Sequence, residues 1–441
     1  MNMTTTTVQT RQLKVQTKGE TPENPSKYIR TPRNYNALQV GIMEFLDMPE
    51  SKSLLTNIGI SVETIQRALP KRFTVYEPLL LLPTNTFNAP PEWSTFYAEL
   101  PSERRKELYA SIAKAFKRLG VTHIAINSFI SLTNTQGLEN RMRSPSGLVP
   151  LYGDFQDPYI IPASSDGNAQ PQAKDLQAAL WVRTVQNKGI IQIWAPLYTM
   201  FSRGNITEKA RILGYGPSQG TFQGLDKQSL QQSPADTSVV DMYAGIGYFT
   251  FSYLKRGVKR VWGWELNGWS VEGLRRGCEA NGWGCKVICI MEDGQTEVPI
   301  IDLVESLTES DRVVVFHGDN KFAANILGKI KYIMEQSGTW RPVRHVNLGL
   351  LPSSQPSWGI ACRVLDPQRR GWLHVHENVD VQEIEKKREE ITTQVATLRA
   401  QVHLEQKISQ EPEINCCHVE HVKTYAPGVM HCVFDISLSG A

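Results

Sequence analysis

The sequence predicts an α/β protein, in which a parallel sheet wound with helices ends in an antiparallel hairpin and follows a smaller α+β domain. Three observations predict it. From near Ser238, strand-like and helix-like runs alternate. A glycine-rich turn, Ala244-Gly245-Ile246-Gly247, joins the first of those strands to the first helix. The carboxyl-terminal runs INCCHVEHVKTYAP and GVMHCVFDIS read as paired strands. Taken in order, VVDMY is a strand end, Gly247–Arg256 a helix, VWGWE a second strand and Ser270–Asn281 a second helix. VVVFHGD and HVNLGLLP end two further strands, with a helix over Phe322–Glu335 between them, and Val381–Lys407 is a long helix charged on most faces.

The amino-terminal half has a different pattern. Residues 1–34 are polar and basic with no apolar period, which predicts a disordered tail. Leu108, Ile112, Ala115, Phe116 and Leu119 recur at helical spacing and predict a helix over Pro101–Leu119. The strand-like VTHIAI follows, and Ser164–Gln172 is a polar loop. LWVRTVQNKGIIQIW reads as a hairpin turning at Asn187-Lys188-Gly189. The expected division is tail 1–34, accessory α+β region 35–175, linking subdomain 176–236 and α/β domain 237–441.

Composition bounds the function. At 441 residues, 41% hydrophobic and 21% charged, the chain has material for two or three packed domains. It has no run long enough to span a membrane, and the first residues lack the apolar core of a secretory signal. A net charge of +3 neither requires nor excludes nucleic acid. None of the seven cysteines forms a C-x-x-C pair. They read as reduced, mostly buried thiols of a cytoplasmic protein, with no metal site.

The turn reads G-x-G-x-x-T, so it satisfies neither the dinucleotide fingerprint nor a phosphate-binding loop. Acids at three strand ends carry more information. Asp241 would repel a phosphate and favour a cationic ligand, Glu265 stands where an acid bonds ribose hydroxyls, and Asp319 with Asn320 can face an adenine or an amino group. S-adenosyl-L-methionine fits this set, having a sulfonium, an ammonium and no phosphate. The competing reading makes the acids N-caps of the helices that follow.

DMYAGIGYFT, WGWELNGWSVEGLRRGCEANGW, HGDN and the segment Met200-Phe201-Ser202-Arg203-Gly204-Asn205-Ile206-Thr207-Glu208-Lys209-Ala210-Arg211 resemble the family of tRNA purine-methyltransferases and of the 3-amino-3-carboxypropyl transferases of wybutosine synthesis. The resemblance covers most of Leu180–Pro352, with a weaker echo at Tyr425–Pro427. It implies a class I methyltransferase (Rossmann-like) domain. It also implies that Ser202, Lys209, Asp241, Tyr243, Gly245, Gly247, Glu265, Asp319 and Asn320 hold the cofactor. Without it, Arg203, Lys209 and Arg211 would read as a solvated helix face.

Where the methyltransferase branch carries Asn-Pro-Pro, this chain has Asn347-Leu348-Gly349-Leu350-Leu351-Pro352-Ser353-Ser354. That departure favours aminocarboxypropyl transfer to 4-demethylwyosine beside the anticodon of tRNA-Phe, by a monomer. Asn347 would position the acceptor ring and Arg203 would neutralise the cofactor carboxylate. A strand-end amide capping a turn and a surface arginine are the competing readings. Candidate RNA contacts are Arg104-Arg105-Lys106, Arg141-Met142-Arg143, Arg275-Arg276 and Arg369-Arg370. The last, flanked by Trp358 and Trp372, is expected to face the acceptor. The alternatives are a guanine-37 N1-methyltransferase, a non-catalytic RNA-binding protein with a relic cofactor domain, and a nicotinamide-dependent dehydrogenase.

Overall fold

The computed structural model describes residues 35–127, 148–155, 170–199 and 201–440. Expectations for the tail 1–34, for Arg141–Arg143 and for most of the loop 164–172 lie outside these residues. Strands β1 (Thr74–Tyr76), β2 (Leu79–Leu82), β3 (His123–Ile126) and β4 (Val149–Tyr152) form a four-stranded sheet in which only β2 and β3 run parallel. Helices Ala37–Leu46 and Ser102–Ala115 pack closely beside it, because a Cβ on Gly41 would stand 2.7 Å from the Ile112 Cα. The helix predicted over Pro101–Leu119 stops at Ala115 and gives way to a 3₁₀ turn at Lys117–Leu119. The tighter turn breaks the apolar stripe, so Leu119 is exposed.

Strands β5 (Val182–Gln186) and β6 (Ile190–Trp194) form the expected hairpin, with Asn187 and Lys188 both left-handed in the turn. The hairpin lies on helix Gly268–Ala280. Gly273 faces the Ile193 carbonyl, which a Cβ would meet at 2.7 Å. Asn281, just past the helix, accepts from the Ile191 N–H and donates to its carbonyl.

The large sheet contains β7 (Ser238–Asp241), β8 (Arg260–Glu265), β9 (Gly284–Cys289), β10 (Asp311–His317), β11 (Val343–Leu348), β12 (Gly371–Asp380), β13 (Ile414–Ala426) and β14 (Val429–Leu438). Its order is β13-β14-β12-β11-β7-β8-β10-β9, with the strands parallel from β12 to β9 and the last two antiparallel, as the sequence predicts. Strands β12 and β9 are additions: β12 is buried on both faces, with no alternation of buried and exposed residues, and only Ile288 of edge strand β9 is buried, so it leaves little apolar signal. The other edge strand, β13, slips register against β14 between Cys416 and His418, His421 and Lys423, and Thr424 and Ala426. The thiols are less buried than expected: Cys278, Cys362 and Cys432 are buried, three are intermediate and Cys417 is exposed. Among the described residues no helix is long and apolar enough to cross a membrane.

One face of the sheet is apolar and packs on helices Ala323–Gln336, Trp358–Val364 and Ile384–Glu405. The opposite face of β11, β12 and β14 buries His345, Asn347, His374, His376, His431 and Asp435. Residues 206–225 cover part of it. Arg211 donates to both carboxylate oxygens of Asp435 and of Glu208. His374 Nδ1 bonds Asp435 at 2.7 Å, His345 Nδ1 bonds His374 Nε2 at 3.0 Å, and His345 Nε2 bonds the Gly224 carbonyl at 2.6 Å. Arg211 holds Asp435 well below the usual carboxylate range against the cost of burial. Burial drives His345 well below the ordinary histidine range, and Arg211 also lies 3.9 Å from the Glu420 carboxylate. The solvated-face reading of Lys209 and Arg211 is thus overturned: they are 2% and 0% exposed. Arg211→Leu should destabilise the protein by about 3–5 kcal/mol, measured as a lower denaturant midpoint, because it strands two buried carboxylates.

Candidate functional site

Beyond Asp241 the chain leaves β7 through Gly245 at φ +54° and Gly247 at φ +84°. A side chain is strained at both, and a Cβ on Gly247 would stand 2.5 Å from the Phe251 ring. These left-handed residues delay the helix, which begins at Thr250 rather than at Gly247 as the sequence reading had it. Glu265, half-buried at the end of β8, accepts from the Gly245 N–H and the Asn267 N–H, each at 2.8 Å. Burial raises its carboxyl against those two bonds.

Asp241 is wholly buried beneath the turn. It accepts from Thr250 Oγ1 at 2.8 Å and from Asn347 Nδ2 at 3.1 Å, and burial pushes its carboxyl up. The carboxylate therefore ties the glycine turn to β11 and does not lie open to a ligand. Asn347 is 1% exposed, and its Oδ1 has no hydrogen-bond partner. Its carbonyl accepts from the Met242 N–H at 3.0 Å.

Asp319 is the N-cap of a 3₁₀ turn, its carboxylate accepting from the Lys321 N–H, so the capping reading describes it well. Asn320 donates to the Met242 carbonyl at 2.8 Å and accepts from Ser357, whose hydroxyl also meets that of Tyr243. Tyr243 and Asn320 thus stand together over the ends of β7 and β10. On the far side of the glycine turn, Tyr248 packs against Gly245, and its hydroxyl accepts from the Ser202 N–H. Lys209 sits 5.6 Å from the Tyr248 ring centre and 5.3 Å from that of Phe201. Its amine donates to Gln186 and Gln192 and meets no carboxylate among the described residues. Burial pushes this amine down to about 7. Arg203 lies in the 3₁₀ turn Arg203–Asn205, and its side chain is outside the described residues.

The structure moves one predicted contact elsewhere. Arg369 and Arg370 precede β12, which is parallel to β11, so they sit at the edge opposite the glycine turn. Trp372 and Trp358 are 1% and 3% exposed and offer no stacking surface. Of the other basic stretches, Arg275 and Arg276 both bond Glu272, and Arg104 bonds Glu107. Sequence reasoning missed His345, His374, His376, His431 and Asp435. The visible signal was the period of two in His345-Val346-Asn347 and His374-Val375-His376, which sends each pair to one face.

Replacing Glu265 by Gln leaves one acceptor for two N–H groups. Glu265→Gln should cost about 1–3 kcal/mol of stability, seen as a lower melting temperature, and should weaken S-adenosylmethionine binding in calorimetry.

Comparison with known proteins narrows what this arrangement belongs to. No family model matches the chain. It is 35% identical over 409 residues to tRNA wybutosine-synthesizing protein 2 of Schizosaccharomyces pombe, spanning 92% of this chain and 80% of that protein. The Saccharomyces cerevisiae protein of the same name is 30% identical over 414 residues, spanning 88% and 79%. A crystal structure of Pyrococcus horikoshii TYW2 in complex with MeSAdo aligns at TM-score 0.46 and 16% identity, over 89% of this chain and 99% of that one. The two yeast relatives share the glycine-turn region and most of the accessory region within single alignments. The chain belongs to the tRNA wybutosine-synthesizing protein 2 family.

Proposed function

We propose that this chain transfers the 3-amino-3-carboxypropyl group of S-adenosylmethionine to the 4-demethylwyosine base at position 37 of tRNA-Phe, releasing methylthioadenosine. The observation that carries the reading is the likeness to two wybutosine-synthesizing relatives along nine-tenths of the chain. The local chemistry fits. Glu265 presents a carboxylate at the end of β8 for ribose hydroxyls, Tyr243 and Asn320 face the adenine side, and the bare glycine turn admits the ligand backbone-close. Lys209 is a buried amine without a counter-ion among the described residues, and a ligand carboxylate would supply one. S-adenosylmethionine brings the carbon that is attacked and the sulfur that leaves. The protein's part is orientation, which decides which carbon beside the sulfur faces the acceptor.

Asn347 would meet the acceptor ring through its unpartnered Oδ1, with its amide fixed by Asp241. Arg203 would face the cofactor carboxylate together with Lys209 and Ser202. We further read residues 35–175 as the accessory region that grips the anticodon arm, and the protein as a cytoplasmic monomer. The second reading, guanine-37 methylation, lacks the paired prolines after Asn347.

Hypomodified tRNA-Phe incubated with carboxyl-labelled and methyl-labelled S-adenosylmethionine separates the two. Label should enter tRNA from the carboxyl-labelled cofactor alone, with methylthioadenosine formed. Methyl label in the tRNA, with S-adenosylhomocysteine as by-product, would replace this reading by methylation.

The amine of Lys209 must be protonated to pair with the cofactor. Below about pH 7 it already is; above that, binding must take up a proton. Cofactor affinity should therefore weaken by about tenfold per pH unit above 7. Calorimetry on Lys209→Met should lose that slope relative to the parent protein, and methylthioadenosine, which has no carboxylate, should lack it in both.

A further inference from the structure

Two pairs of touching histidines lie on the same sheet face, and they differ at their ends. The pair His345–His374 is capped at both ends, by the Gly224 carbonyl and the Asp435 carboxylate. In the other pair, His376 Nδ1 meets His431 Nε2 at 3.0 Å, while His376 Nε2 and His431 Nδ1 are buried with no partner among the described residues. A neutral pair of this kind has a donor at one free end and an acceptor at the other; a proton gained at the accepting end, passage of the shared proton and loss of a proton from the donating end exchange them. Burial keeps the pair neutral: it drives His376 well below its ordinary range and His431 down to about 4.

Its two ends face different things. The His376 ring lies 5.0 Å from that of Phe249. The same Phe249 ring borders Gly349, where a Cβ would stand 3.2 Å from it and 3.1 Å from Asn347 Nδ2. His376 is therefore one ring, that of Phe249, away from the place where Asn347 would hold the acceptor. His431 pairs across strands with Lys423, whose half-buried side chain lies over Gly204. The outer end of the pair thus leads towards a partly exposed amine on edge strand β13.

The transfer leaves one atom without a destination. A bond forms between the acceptor ring carbon and the γ-carbon of the transferred arm. The carbon–sulfur electron pair departs with methylthioadenosine, and the hydrogen on the ring carbon must leave as a proton. We propose that His376 Nε2 takes that proton and that the His376–His431 pair passes it on, through the shared Nδ1–Nε2 hydrogen bond, to leave at His431 Nδ1 beside Lys423. This assignment rests on the aminocarboxypropyl-transfer reading above. A ring carbon that has just gained a fourth bond is strongly acidic, so a weakly basic neutral imidazole suffices. His376 is then a catalytic residue, and His431 acts through it.

The test uses the full-length protein and hypomodified tRNA-Phe carrying hydrogen or deuterium at the acceptor carbon, with single-turnover appearance of the finished, re-aromatised base in the tRNA as the readout. In the parent protein the two substrates should react at one rate, because proton loss follows bond formation. His376→Gln and His431→Gln keep hydrogen-bonding groups but transfer no proton. Both should be slower by on the order of 10²-fold, and slower again with deuterium. Cofactor binding by calorimetry identifies folded variants, and His376→Asn replaces a glutamine variant that does not fold. Variants that keep the parent rate, or that slow equally with hydrogen and deuterium, overturn the relay. Absence of methylthioadenosine from the parent protein instead overturns the reaction on which the relay rests.

Discussion

Arg211 cannot leave the face of the sheet without stranding Asp435 and Glu208 where no water solvates them. That constraint holds residues 206–225 to β14, and His374, His345 and Gly224 extend it across three strands. Arg211 meets both carboxylates, so the face tolerates charges that would be costly singly. Gly224 shows how close the fit is, for a Cβ there would stand 2.5 Å from Trp372 and 2.7 Å from His345. The clamped segment is continuous with Ser202 and Lys209. A network remote from the glycine turn thus sets the height of the residues that complete the site.

A second linkage runs beneath the turn. Asp241 bonds Thr250, at the start of the helix that follows the glycines, and Asn347, on the neighbouring strand. Glu265 adds the end of β8 through Gly245. The glycine turn and the end of β11 therefore share one buried carboxylate, and any shift of the turn reaches Asn347 through two hydrogen bonds. This rigid coupling suits a reaction governed by which of two carbons lies in line with the acceptor.

The alternation of strands and helices, the turning hairpin at Asn187 and the terminal hairpin were legible because each depends on local periodicity or turn chemistry. Strand β9 was not, since an edge strand with one buried residue carries almost no pattern. At the site, the types and order of Glu265, Asn320 and Lys209 were readable, but their orientation was not. Asp241 looked like a ligand-facing acid, and only packing reveals that Thr250 and Asn347 occupy it. Arg369 and Arg370 looked close to the acceptor because they follow its loop in sequence. The parallel crossover between β11 and β12 carries them to the other end of the sheet. The histidine face needed three strands in register before its members met, which no window along one chain can display.

Edge strand β13 bears on how the molecule behaves among its copies. An open sheet edge offers unpaired N–H and carbonyl groups to any extended chain that approaches it. Three slips of register within thirteen residues break that row into short, misaligned pieces. A second molecule attempting to add a strand would find no continuous ladder to copy. The irregularity that brings Lys423 over Gly204 therefore also protects against edge-to-edge aggregation in a chain that must bind RNA and remain dispersed.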